Sequence, residues 1–394
     1  GQNTSRDLSR YHAYLKRAVS LLEHYDGNEP FSIYYKKQIA LDKKVGSTDR
    51  KLIRHYCYSF FRIGFACATL TIEERLLTAV YLIQGETDPL VKAVRPAWAA
   101  QGASTFDQRV ALVCPDFDGS AVFPFPFSFS MGMKQKEWGE SLLVQPDFFI
   151  RIRPGKQSKV VNKLLEAAIP YTLISPMTIA LPAATSLENL LDLNLDYVVQ
   201  DLSSQRVGEF IQPLLPVTIK SVWDCCAASG GKSLLLLDQY PKIELTVSDI
   251  RTSILQQLKV RFKQAGISNY QSLVLDLTQQ DFPNTATQFD LVIADVPCTG
   301  SGTWARTPEQ ITKQTEVLLK EYTSRQRSIL SRLPASVKPG GYLLYCTCSV
   351  FASENEEQVN WLQQQYDFSL CKYTLLNGIA EHADTLFVAL LQKN

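Results

Sequence analysis

Apolar positions recur at helical spacing through the first part of the chain. SRYHAYLKRAVSLLEHY, FSIYYKKQIALDKK, DRKLIRHYCYSFFRIGFACATL, TIEERLLTAVYLIQ, PLVKAVRPAWA and TFDQRVALV each place an apolar stripe on one helix face. The pattern predicts an all-α region over residues 3–112, with Ser47 or Thr48 and Thr71 as helix caps. PDFDGSAVFPFPFSFSMGM (115–133) has no helical period and reads as an inter-domain connection, its phenylalanines packed along a domain surface. Residues 134–205 mix helix and strand: KEWGESLLVQ and KQSKVVNKLLEAAI are helical, while DFFIRIRPG, TIALPA and YVVQDLSS look like strands. From about residue 217, beginning with VTIKSVWDC, short apolar runs alternate with helical ones, which predicts a parallel sheet covered by helices on both faces. The chain is therefore expected to be multi-domain. An all-α domain with its connecting segment spans 1–130, a small α+β subdomain 131–205 and an α/β domain 206–394.

Composition adds exclusions. A chain of 394 residues with 45% hydrophobic residues can build its cores without metal or disulfides. Nine cysteines, mostly within apolar runs, do not form a secreted disulfide framework and point to a reducing compartment. The polar start GQNTSRDLSRYHAYL lacks the apolar core of a signal peptide, and no apolar run reaches a membrane span. A cytoplasmic protein without membrane partners is expected. Net charge is only +1, yet residues 1–62 carry twelve Lys/Arg against six Asp/Glu. That local excess fits either a phosphate-rich partner or a solvated helical surface.

The candidate chemistry lies in the α/β region. DCCAASGGK (224–232) ends the first strand there and opens a helix, and Gly230–Gly231 allow close backbone approach to a ligand. A P-loop needs glycine where Cys226 stands, and the run is not G-x-G-x-x-G either. Successive strands close on Asp224, Asp249 (SDI), Asp276 (VLDL) and Asp295 (ADVPC). Asp249 is placed to accept from ribose hydroxyls and Asp276 from an adenine amino group. Carboxylates in series suit a nucleoside bearing no phosphate, such as S-adenosylmethionine.

Two cysteines complete the pattern. Cys298 in DVPCTGSG and Cys348 in YCTCS each follow a strand-like run, so a parallel sheet can bring them to one edge. A thiolate can add to carbon 6 of cytosine and make carbon 5 a nucleophile, and a second thiol can help resolve the adduct. Two buried structural thiols are the alternative. Zinc is disfavoured: Cys346 and Cys348 form C-x-C, Cys225 and Cys226 are adjacent, and no histidine lies near.

Together these motifs resemble the cytosine-5 RNA methyltransferases of the RsmB and Sun-domain type over residues 200–391. The resemblance implies a class I, Rossmann-like methyltransferase domain with S-adenosylmethionine as cofactor. It makes Cys348 the nucleophile, Cys298 the cysteine assisting release, Asp295 the acid contacting the base and Lys232 the active-site lysine. The cofactor set is Cys226, Ala227, Ala228, Ser229, Gly230, Gly231, Lys232, Asp249, Asp276 and Asp295, with no metal ligand. VQDLSSQ (199–205) and SENEEQV (353–359) match the family's entry segment and the helix after the nucleophile. GSTDRKLIRHYCYSFFRIG (46–64) is similar to an RNA-binding NusB-like helical domain. DFFIRIRPG resembles the strand opening an RNA-contacting subdomain, with Arg151 and Arg153 on one strand face; an exposed edge strand is the other reading.

Four positions depart from the family pattern. Ser229 replaces a proline, which would loosen the cofactor loop, and Cys346 replaces a serine. Ala305 replaces one arginine of a pair, and Thr385 with Leu386 would reshape the pocket rim. The expected reaction is methyl transfer to cytosine carbon 5 in RNA through a cysteine adduct, with small-subunit ribosomal RNA as target and a monomeric enzyme. Transfer RNA is the alternative target, and a catalytically silent RNA-binding assembly factor the alternative class.

Overall fold

A computed structural model describes residues 2–212 and 219–394; the start of the predicted strand VTIKSVWDC, at 217–218, lies outside them. The chain forms two compact units. The first comprises Gly1–Pro126, Lys134–Gln145 and Trp304–Gln314, and the second Phe127–Met133, Pro146–Thr303 and Thr315–Asn394. The expected limits at 130 and 205 do not coincide with these boundaries.

The first unit is helical: α1 (Gln2–His24), α2 (Phe31–Ala40), α3 (Ser47–Arg62), α4 (Ile72–Gln84), α5 (Pro89–Val94), α6 (Pro96–Ala99), α7 (Phe106–Val113), α8 (Gly119–Val122) and α9 (Gln135–Ser141). Thr71 caps α4 by accepting from Glu74 N, but α3 opens at Gly46, with neither Ser47 nor Thr48 as its cap. The apolar stripes meet in one core around Leu15, Phe31, Ile53, Tyr56 and Leu77. Phe123 does not lie along a surface: it is fully buried against Trp138 and Trp304. Buried Arg62 ties the unit's separate stretches, donating to Leu142 O at 3.1 Å and Ala305 O at 2.8 Å. Burial pushes its pKa down to about 10. The carbonyl of Ala305 thus has a structural task that its side chain does not reveal.

The second unit opens with β1 (Phe148–Ile152), α10 (Gln157–Glu166), β2 (Thr172–Ser175), β3 (Thr178–Leu181) and β4 (Tyr197–Val199), an antiparallel sheet of order β2-β3-β1-β4. The predicted strand YVVQDLSS stops at Val199. Asp201 then accepts from Ser203 N and caps α11 (Leu202–Ile211), which crosses the expected boundary at 205.

The remainder is β5 (Ser221–Asp224), α12 (Gly231–Gln239), β6 (Glu244–Asp249), α13 (Thr252–Gln264), β7 (Gln271–Val274), β8 (Phe289–Asp295), α14 (Glu316–Leu330), β9 (Val337–Thr347), α15 (Glu356–Gln365), β10 (Phe368–Leu376) and β11 (Leu386–Lys393). These strands order as β10-β11-β9-β8-β5-β6-β7. Strands β5 to β9 pair in parallel as predicted, but β11 runs antiparallel to β9, and β10 antiparallel to β11. Neighbouring residues of a strand face opposite sides, which makes two cores. Val222, Leu291 and Leu344 pack with α11, α12 and α13, while Trp223, Val292 and Leu343 pack with α14 and α15.

Candidate active site

The order of strands reverses between β8 and β5, and a ligand site is expected at the carboxyl ends there. The predicted site residues gather along that edge. Asp224, Asp249 and Asp295 are the last residues of β5, β6 and β8, and Asp295 pairs in register with Cys346 on β9.

The glycine-rich run forms a tight connection from β5 to α12. Gly230 caps α12 at φ +88°, and Ala228 also has positive φ, 49°. A Cβ on Gly230 would meet Phe262 at 2.7 Å, so this glycine is required by packing as well as by its φ. The connection is held over β6 by Ala227 N to Ser248 O at 2.9 Å and Ala228 N to Asp249 Oδ2 at 3.0 Å. Ser229 does not leave it loose: Arg261 Nη1 donates to Ser229 Oγ at 3.2 Å.

The carboxylates differ in their partners. Asp249 is buried, and its Oδ1 also accepts from Arg251 N at 3.0 Å and Arg251 Nε at 3.1 Å. Half-buried Asp276 lies two residues beyond β7, with Oδ1 taken by Thr278 N and Oγ1. Asp224 is fully buried and accepts from Ser233 Oγ at 2.6 Å, while its Oδ1 has no partner among the described residues. Burial pushes its pKa up to about 7. Asp295 pairs with Lys232, Nζ to Oδ2 at 2.6 Å.

Cys298 and Cys348, fifty positions apart in sequence, come within 3.4 Å, Sγ to Sγ, and both are half-buried. The Cys298 thiol is pushed well above its ordinary pKa, first by its hydrogen bond with Cys348 and then by burial. The two thiols share one hydrogen bond, which either sulfur can donate. Cys346, on β9, is a fully buried core thiol, and Cys348 packs against the same core. Among the described residues no group of three or more His, Cys, Asp or Glu could hold a metal ion.

Two expectations change. Arg151 and Arg153 do not sit on an exposed edge and do not face outward. Strand β1 is interior to its sheet, and both guanidiniums pair with Asp238 on α12. Arg151 is buried and also donates to Gln200 Oε1 at 2.9 Å. An unpaired buried cation would be costly, and Asp238, more than eighty positions away, removes that cost. Thr385 and Leu386 are no rim either. Both are buried; Thr385 N donates to Gly302 O at 3.0 Å, and Gly302 N to Cys348 O at 2.8 Å. The sequence reading also missed Glu354, which is fully buried beside both cysteine turns. Its signal was present within SENEEQV as an acidic residue shortly after a thiol-bearing strand end.

Residues 211–390 match the family model described as 16S rRNA methyltransferase RsmB/F. The ribosomal RNA small subunit methyltransferase B of Erwinia tasmaniensis is 31% identical over 382 residues, which cover 84% of this chain and 86% of that protein. A probable ribosomal RNA small subunit methyltransferase B of Synechocystis is 30% identical over 251 residues, 59% of this chain. The match spans about half the length of that relative, 55%. Among solved structures, NSun6 from Pyrococcus horikoshii, solved with SFG, has the same fold at a TM-score of 0.58 and 14% identity, covering 66% of this chain and 94% of that one. The crystal structure of PH0851 shares the fold at a TM-score of 0.69 and 18% identity, over 98% of this chain and 99% of that one.

Proposed function

The chain belongs to the RsmB/F family of 16S rRNA methyltransferases, and from that membership we propose that it methylates carbon 5 of a cytosine in small-subunit ribosomal RNA. The observation that carries this reading is the 3.4 Å approach of Cys298 to Cys348 at the edge that bears the Lys232–Asp295 pair.

The cofactor is S-adenosylmethionine. The donor set fits it: a buried carboxylate, Asp249, for the ribose, an Asp276 oxygen without a protein partner among the described residues, and a left-handed backbone turn at Gly230 that opens α12. When bound, it supplies the electrophilic methyl that carbon 5 takes up.

Cys348 adds as a thiolate to carbon 6 of the cytosine. The S–C6 bond forms, and the C5=C6 electron pair becomes available at carbon 5. Asp295, oriented by Lys232, contacts the base. After carbon 5 is alkylated, Cys298 releases its proton to solvent and takes the carbon-5 proton. The C–H pair restores C5=C6, and Cys348 leaves as a thiolate. Cys298 ends as a thiol, and in net terms the carbon-5 proton is the one proton the cycle releases. Carbon 6 is not reachable within a stack, so the base is flipped or taken from a loop.

The helical unit contributes phosphate contacts. A groove of ≈ 620 Å³ between α2 and α3 is lined by Lys36, Lys37, Arg50, Lys51 and Arg54, with no carboxylate in its lining.

The test is a denaturing gel of enzyme incubated with RNA and S-adenosylmethionine. Cys348→Ala gives neither methylated RNA nor an adduct, while Cys298→Ala accumulates a slow covalent band. The reverse pattern exchanges the two roles. Methylation confined to transfer RNA redirects the target. Full ribosome assembly with both variants, without any methylation by wild type, identifies an assembly factor instead.

A further inference from the structure

Strands β8 and β9 are neighbours, but their pairing ends at Asp295 and Cys346, and the backbone joins the turns that carry Cys298 and Cys348 through Gly302 N to Cys348 O at 2.8 Å. Glu354 lies between them, in the short turn from β9 to α15, and is fully buried. Each of its oxygens takes two hydrogen bonds. Oε1 accepts from Thr299 Oγ1 at 2.6 Å and Ser349 Oγ at 2.5 Å. Oε2 accepts from Thr299 N at 2.9 Å and Gln326 Nε2 at 2.9 Å. Thr299 follows Cys298 directly, and Ser349 follows Cys348. Gln326, on α14, also donates to Pro297 O at 2.9 Å, on the other side of Cys298. A second link runs alongside, Val350 N to Ser301 Oγ at 2.9 Å.

Burying a carboxylate is costly unless donors surround it, and here four donors do so. A leucine of similar size would fill the same volume without that demand. We propose that Glu354 is a positioning residue that ties the two thiol-bearing turns into one body and thereby sets the separation of Cys298 from Cys348. Its neighbours extend the arrangement. Asn355 Nδ2 donates to Ser349 O at 2.8 Å, and its Oδ1 accepts from Thr347 Oγ1 at 2.5 Å, so Cys348 is fixed from both flanks. Glu356 accepts from Ser130 Oγ and Met131 N, which anchors the segment laid over Val350.

The proposal rests on the reading that both thiols act on one base, but its test does not. Diamide oxidises a close thiol pair to a disulfide: the two thiols lose two protons and two electrons, and the azo group of diamide becomes a hydrazine. The rate reports how often the sulfurs meet and needs neither RNA nor S-adenosylmethionine. Cys67 and Cys114, with Sγ atoms 2.9 Å apart in the helical unit, provide an internal reference in the same chain. Peptide mapping follows both disulfides. In Glu354→Ala the Cys298–Cys348 disulfide forms about tenfold more slowly, while the reference pair is unchanged. Methyl transfer shows a lower kcat with an unchanged KM for S-adenosylmethionine. If Glu354→Ala disturbs the reference pair as well, Ser349→Ala decides, since it removes only the tie to the Cys348 turn; it slows the active-site disulfide severalfold. An active-site disulfide that forms at the wild-type rate in a folded variant overturns the proposal, whatever becomes of the adduct experiment.

Discussion

Lys232 Nζ donates to Asp295 Oδ2 at 2.6 Å, joining the first turn of α12 to the tip of β8. Burial alone would lower the lysine pKa, but the charge of Asp295, helped by Cys346, outweighs it and holds the ammonium above its ordinary value. A raised lysine pKa contributes stability fully below the unfolded value of 10.5 and loses it as pH climbs through the folded one. The pair is therefore intact throughout the neutral range.

Lys232→Met leaves Asp295 without its cation. It costs about 2 kcal/mol of stability in urea unfolding and lowers methyl transfer by about a hundredfold. Because the partners act together, Lys232→Met with Asp295→Asn loses less stability than the two single losses added. Strict additivity would show that the pair is not coupled.

Asp224 predicts a pH effect of the same sign in a lower window. Its carboxyl is raised from 3.8 to about 7, so the native state binds the proton more tightly than the unfolded chain does. Stability is thus highest, for this group, below pH 4 and falls as pH rises to about 7, by on the order of 4 kcal/mol. Asp224→Asn removes the titration. Thermal melts from pH 4 to 8 lose that decline in the variant, and an unaltered slope rejects Asp224 as its source.

Asp249 binds the ribose in the proposed site. Asp249→Ala weakens S-adenosylmethionine by about 2–3 kcal/mol in titration calorimetry, as for a hydrogen bond to a charged group. Unchanged affinity would remove Asp249 from the cofactor site.

Asp238 pairs with both Arg151 and Arg153. Asp238→Ala leaves a buried guanidinium unpaired and costs about 3–5 kcal/mol of stability. RNA affinity of the folded fraction is expected to be unaffected, since both guanidiniums are turned to Asp238. A variant that melts normally but loses RNA would restore the sequence-based reading of these arginines.

The groove between α2 and α3 predicts salt dependence. Reversing Lys36, Lys51 and Arg54 to Glu weakens RNA binding and makes the slope of log affinity against log salt shallower by about 3 or more. An equal slope would mean that these cations only face solvent.

Local pattern was enough for much of the architecture. Period 3.6 marked the helices of residues 3–112, and short apolar runs alternating with helical ones marked β5, β6, β8 and β9. It failed where burial is partial. Strand β10 has a mixed apolar and polar face and an irregular register between Leu370 and Lys372, so FSLCKYTLL showed no alternation.

The candidate site divides in the same way. Residue type and strand-end position, both local properties, brought Asp249, Asp295, Lys232, Cys298 and Cys348 to one sheet edge in advance, because a parallel sheet aligns its carboxyl ends. Only the tertiary structure decided what each charged group meets. Arg151 and Arg153 looked like a surface pair until Asp238 arrived from α12, and Asp224 looked like a ligand contact until Ser233 covered it. Glu354 looked like one acid among several, yet it accepts from residues 55, 28 and 5 positions away. Hydrophobic period follows from the geometry of a single strand or helix. The partner of a buried charge follows from the packing of several, and nothing in the local sequence encodes it.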